Sequence, residues 1–218
     1  MFDKTRVLRL RLRLELKNLK GYYWIPVIIL WGVVPLLAVS YRRMGGDSAY
    51  YLMIDYCQQF VTLTSPLWIN MIGKDFYHSQ GRELFFLYND KFDNLLSRAL
   101  LLWTWHLLHL CCLIIGLSFI LREAMLDLFM VLTVQSLFII AVSYCVMTLG
   151  HNTFFSLVIP ILYGVFFSLV FNHAQFTIYE FTGEMGNCSQ LSKRAIILAV
   201  SVVLYSISYH FEKRNHPF

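Results

Sequence analysis

Charge is what this sequence has least of. Asp, Glu, Lys and Arg make up 14% of the chain, where an ordinary soluble domain carries roughly 25%. That is too little polar surface for a water-soluble globule of 218 residues, 58% of which are hydrophobic. A phosphate-binding loop of the pattern G-x-x-x-x-G-K-[ST] is also missing, so nothing here would cradle a nucleoside triphosphate. No stretch between the apolar runs approaches the roughly 50 residues of an independent soluble domain. Cysteine is sparse and odd in number, five in all. Cys57, Cys111, Cys112 and Cys145 fall inside apolar runs, so no secreted disulfide framework is indicated.

What the sequence does have is six apolar runs, 21–40, 51–72, 99–121, 126–149, 153–171 and 195–211. Each approaches the roughly 17 to 25 residues that a helix needs to cross a hydrocarbon core. Only Asp55 and Asp127, of all the charged side chains, lie within them. The expected fold is an all-α integral membrane protein of one domain over 1–218, with six transmembrane helices. The run 21–40 is too long for a signal-peptide core and counts as the first span. The net charge of +5 comes from basic residues flanking spans, which have a topological role there, so nucleic acid is not an expected partner and the lipid bilayer is.

Basic residues are retained on the cytoplasmic side. Seven of the eighteen Lys and Arg precede residue 21, and four more lie between the second and third spans. With two in the tail, this side outnumbers the other, which places both termini in the cytoplasm and the chain in the cell membrane as a multi-pass protein. The segment 1–20 alternates Arg and Leu over residues 9–14, as a strand would. On a helical wheel Arg6, Arg9, Arg13, Lys17 and Lys20 share one arc, while Leu8, Leu12, Leu16 and Leu19 share another. An amphipathic helix lying in the inner interface fits this pattern, and a basic leader that only sets topology is the alternative.

The second span is the most polar. Asp55, Gln58, Gln59, Thr62 and Ser65 recur at three- and four-residue spacing, so they lie on one helical face, and Pro66 weakens the helix beside them. Such a face lines a translocation path or hydrogen-bonds to neighbouring helices. In the fifth span Ser156, Pro160, Gly164 and Ser168 form a small-residue ridge every four residues, a seam for close helix packing within the chain or between two copies. In the third span His106, His109 and Cys112 are spaced three apart, which is expected to set them on roughly one helical face. They are the one constellation resembling catalysis, as metal ligands or as a thiol beside a base. No metal site is expected, because further ligands are lacking.

The segment between the second and third spans carries a family resemblance. It holds Asp75, then Gly81, Arg82, Glu83, Leu84, Phe85 and Phe86, with Ser97 and Arg98 opening the next span. Together with an N-terminal amphipathic helix and six spans, this resembles the permease subunit of type-2 ATP-binding-cassette exporters. Gly81, Glu83, Leu84, Ser97 and Arg98 match the family pattern. The usual proline after the leucine run is replaced by Asn89 and Asp90. The resemblance implies a non-catalytic transport subunit that pairs with a second permease chain and docks a separate cytoplasmic ATPase. ATP and Mg would sit on that ATPase, leaving no cofactor on this chain. The docking residues would lie in 73–98, with Asp75, Gly81, Arg82, Glu83, Phe85 and Phe86 as candidates, and 172–194 would be the long outer connection. Two other readings stay open. One is a small intramembrane cysteine protease using His106 as base and Cys112 as nucleophile, and the other is a membrane protein that binds a partner without transporting anything.

Overall fold

The structure, a computed structural model, describes residues 12–13, 16–17, 20–45, 47–78, 95–170, 178–179 and 188–215. Among these residues every regular element is helical. Six helices follow in order: α1 (Gly21–Met44), α2 (Asp47–His78), α3 (Leu95–Leu121), α4 (Leu126–Gly150), α5 (Thr153–Val170) and α6 (Cys188–Asn215). Four of them, α1, α3, α4 and α6, contain stretches long and apolar enough to cross a membrane. Helix α2 is long enough, at 32 residues, but its polar stripe keeps it out of that set. The apolar part of α5 with described side chains, Thr153–Gly164, is shorter.

Helices α2 and α4 form the centre. The first packs on α1, α3, α4 and α5, and the second on α2, α3, α5 and α6. Helix α4 has half of its apolar window buried, against 17% for α6 and 22% for α1. Its sequence is apolar around the whole circumference, as a helix with neighbours on all sides requires. Short connections make α3, α4 and α5 antiparallel neighbours. The α3–α4 turn starts with Arg122 at φ 61°, and α4 ends on His151 at φ 47°. Asn152 then caps α5, its Oδ1 accepting the Phe154 amide at 2.8 Å, which answers a backbone donor the first turn would leave open. Large apolar side chains such as Phe119, Leu36 and Val202 are exposed on the outer helices, the side that lipid would cover.

Local sequence explains two irregularities. Pro35 has no N–H for the carbonyl of Trp31, and the turn just ahead of it, Ile29–Val33, is widened so that the Val34 amide bonds back five residues to Ile29. Pro66 likewise leaves the carbonyl of Thr62 without its helical donor. The Ser65 hydroxyl donates to that same carbonyl at 2.7 Å, so α2 stays continuous through its proline.

Several boundaries differ from those expected. Helix α2 runs past the expected span end to His78, and α3 begins at Leu95, so residues 73–78 and 95–98 of the expected connection are helical. No proline interrupts residues 73–78, and Gly73 serves close packing: a Cβ there would fall 2.0 Å from Met147 Sδ. Helix α6 starts at Cys188, well before the apolar run that marks it.

The ends of several helices meet at one end of the bundle. Leu12 and Leu16 pack with Tyr23, Trp68, Leu95 and Ala99, while Arg13 and Lys17 are exposed. These four positions have helical backbone, with leucine inward and basic residues outward. Glu212, near the end of α6, accepts the Leu95 amide at 2.9 Å and the Tyr144 hydroxyl on its other oxygen. The carboxylate thus caps the first turn of α3 from another helix.

Candidate functional site

The polar face of α2 divides by depth. At 100° per residue the stripe spans about 120°, with Ser65, Gln58 and Thr62 to one side and Asp55 and Gln59 to the other. The first three are buried, and the last two are partly exposed. Hydroxyls on this face bond mainly to their own helix. Thr62 donates to the Gln58 carbonyl at 2.7 Å, and Ser65 to that of Thr62 at 2.7 Å. Such back-bonding satisfies a buried hydroxyl without a partner helix.

Gln58 reaches across the bundle. Gln135, on α4, donates one amide hydrogen to Gln58 Oε1 and the other to the carbonyl of Ile178, both at 2.8 Å. Tyr179 places its hydroxyl 3.3 Å from Thr62 Oγ1, and its own carbonyl accepts Lys193 Nζ from α6 at 2.8 Å. Ile178 and Tyr179 are 4% and 6% exposed, so this piece of chain sits inside the bundle. Gln58, Thr62, Gln135 and Tyr179 form one polar node joining α2, α4 and the 178–179 strap. With both amide hydrogens used, Gln135 Oε1 is a buried acceptor with no partner among the described residues. An unpaired buried acceptor is costly and is the feature of this node most suited to receiving a donor from outside the chain.

The small-residue ridge of α5 lies beside the node. Ser156, Pro160 and Gly164 are buried, and the side chain of Ser168 lies outside those described. A Cβ on Gly164 would meet the Tyr179 hydroxyl at 2.8 Å and Leu63 Cδ2 at 3.3 Å. The close approach here is to α2 and the strap of the same chain. Gly164→Leu should therefore overpack this contact and lower stability by about 1 to 3 kcal/mol. Thermal unfolding of the detergent-solubilised variant checks it, and an unchanged midpoint would remove the seam from this position.

A second cluster links α1, α2 and α3. Trp68 Nε1 donates to His106 Nδ1 at 3.2 Å, and Trp31 Nε1 to His109 Nδ1 at 3.0 Å. Trp68 stacks on His109, with Trp105 edge-on to it at 5.1 Å between centroids. Since Nδ1 accepts in both histidines, the proton of each neutral ring sits on Nε2. The two Nε2 groups and Trp105 Nε1 are buried without partners among the described residues.

This geometry corrects the expectation of a shared face for His106, His109 and Cys112. Three-residue steps fall short of a full turn, so two steps leave Cys112 about 120° round the helix from His106. His106 is fully buried and Cys112 is exposed. With an indole on each Nδ1, neither ring holds a free lone pair toward the thiol. No group of three or more metal-ligating side chains occurs among the described residues. Of the expected docking residues, Asp75 lies in the last turns of α2, and Gly81, Arg82, Glu83, Phe85 and Phe86 lie outside the described residues.

Gln135, Tyr179, Trp68 and Glu212 are not among the residues singled out from sequence. A signal existed for Gln135, the one carboxamide in the run 126–149. Compared with protein-family models, with curated proteins and with solved structures, the chain matches none of them.

Proposed function

We propose that this chain is the permease subunit of an ATP-binding-cassette exporter, crossing the cell membrane six times with both termini in the cytoplasm and working with a second permease chain and a separate ATPase. The observation that carries the reading is the course of α2. At 1.5 Å per residue its 32 residues extend about 48 Å, well beyond a hydrocarbon core of roughly 30 Å. One continuous rod thus holds the polar node in mid-bundle and, at its far end, enters the segment 73–98 that resembles the family's ATPase-contacting element.

The rod gives a mechanical route. Closure of the ATPase would press on 79–94, and the displacement would pass along α2 to α1, α3, α4 and α5, against all of which it packs. The contacts placed to break are those of the node, where Gln58 and Thr62 on the rod meet Gln135 and Tyr179. Parting them would free polar groups along one face of α2 for a passing substrate, a rigid-body switch between two packed arrangements. This chain supplies the path and the lever, while hydrolysis takes place on the partner.

The test uses charge reversal in the segment next to α2. Glu83→Arg and Arg82→Glu keep the inward excess of basic residues and so should leave insertion intact. Each should lower ATPase binding and reduce permease-stimulated hydrolysis toward the basal rate, through lost charge complementarity. The measurement is co-purification with the candidate ATPase and turnover after reconstitution. Normal binding and stimulation in both variants, and again in Phe85→Ala with Phe86→Ala, would overturn the assignment.

A further inference from the structure

The turn between α3 and α4 borders two clefts of opposite character. One, of about 450 Å³, is polar and is formed by Tyr41, Arg42, Tyr50, Tyr51, Leu121 and Glu123. The other, of about 610 Å³, is mainly apolar and runs between α3 and α4 along Ile114, Ile115, Phe119, Met125 and Phe129, with Arg122 beside Glu123 also lining it. Glu123 lines both, so they adjoin at its side chain. Both lie within the size range of ligand sites, roughly 300 to 1,000 Å³. Their junction is at the ends of α1 and α3 and the start of α2 and α4, where a membrane-crossing chain meets the headgroup layer.

The charges in the polar cleft are of both signs and are not spent on each other. Arg42 gives one N–H to the Ile120 carbonyl, which anchors its guanidinium over the end of α3 and leaves most of its five donors for other acceptors. Glu123 shares the cleft with Tyr50 and Tyr51, and its exposed carboxylate is open to a further donor. Tyr41 stacks on Tyr56 at 6.1 Å, and Tyr50 meets Tyr51 edge-on at 5.8 Å, so the rings are braced in place. A guanidinium suits a phosphodiester. A carboxylate among tyrosine faces suits an ammonium group, by charge and by cation–π attraction.

From this juxtaposition we propose that the α3–α4 turn is a binding site for one zwitterionic phospholipid, its phosphate on Arg42, its ammonium headgroup between Glu123 and the tyrosines, and an acyl chain in the apolar cleft. An anionic lipid without an amine would satisfy Arg42 and leave Glu123 facing like charge. The apolar cleft by itself would take any lipid tail, and selection is therefore made by the headgroup cleft. This inference depends on the chain lying in a bilayer and is independent of the permease assignment.

The experiment is native mass spectrometry of the full chain, released from detergent with matched-chain phosphatidylethanolamine, phosphatidylcholine or phosphatidylglycerol. One tightly retained zwitterionic lipid is expected, in preference to phosphatidylglycerol. Loss of a charge-assisted contact should cut affinity by about tenfold, so Glu123→Gln should weaken zwitterionic binding by that factor and abolish the preference. Phe119→Ala should weaken all three lipids alike. Glu123 and Phe119 are exposed, so both variants should unfold at the wild-type temperature. Equal retention of the three lipids by the wild-type chain overturns the proposal without recourse to any variant. So does a preference for phosphatidylglycerol, or a headgroup preference that survives Glu123→Gln.

Discussion

Gln135→Leu should destabilise the chain by about 1 to 3 kcal/mol, because it strands buried acceptors that the amide now serves. Both amide hydrogens are committed, one to Gln58 Oε1 and one to the Ile178 carbonyl, and Gln135 is 1% exposed. Gln58→Leu should cost less, since Gln135 keeps its bond to Ile178. The double variant is informative because replacing both members of a buried pair by apolar groups is often close to neutral. Here it should recover part of the single-variant loss and stop short of wild type, since the Ile178 carbonyl still lacks its donor. Thermal unfolding of the three variants in detergent measures this cycle. Transport should follow a different order. If the node is the part of the path that parts under load, the double variant should be the less active the more of its stability returns, because its polar groups are gone. A double variant that folds and exports normally would reduce the node to a structural bond between α2 and α4.

Glu212→Ala should have a comparable effect at one end of the bundle. The carboxylate accepts the Leu95 amide at 2.9 Å on one oxygen and the Tyr144 hydroxyl on the other. It therefore holds the N-terminal turn of α3, where four amides lack intrahelical partners and the helix dipole favours an anion. Hydrogen bonds to a charged group contribute about 1.5 to 3 kcal/mol, and alanine removes both of these, so a loss of about 2 to 3 kcal/mol is expected. Glu212→Gln keeps an acceptor for Leu95 and should retain about half of that, and Tyr144→Phe should cost about 1 kcal/mol. Ranked unfolding midpoints in that order test the cap. Because α3 begins where 79–94 ends, the same variant should also weaken the response of the assembly to its ATPase. Stability lost with coupling unchanged would separate the cap from the lever.

Much of the architecture is legible in the sequence because it is local. Apolar runs long enough to form membrane-length helices declare themselves by length, and the stripe Asp55, Gln58, Gln59, Thr62 and Ser65 declares its face by spacing. The spacing also splits the stripe into two sides, Ser65, Gln58 and Thr62 on one and Asp55 and Gln59 on the other, and only the packed structure shows that the first side is the buried one. Helical angle also governs His106, His109 and Cys112. There three-residue steps fall short of a full turn, and the drift they accumulate carries the Cys112 thiol away from the buried imidazole of His106.

Tertiary structure alone decided which groups meet. Gln58 finds Gln135 across 77 positions, Thr62 finds Tyr179 across 117, and Leu95 finds Glu212 across 117. No periodicity within one segment encodes such pairs, because they depend on the depth and rotation at which separate helices settle against each other. Those are set by packing details such as Gly164 beside Tyr179 and Leu63, and Gly73 beside Met147. Within the apolar runs, by contrast, every backbone polar group shielded from water must be bonded inside its own segment. That requirement needs no partner from elsewhere in the chain, so the sequence by itself determined the helices, and the third dimension determined the node, the cap and the paired clefts.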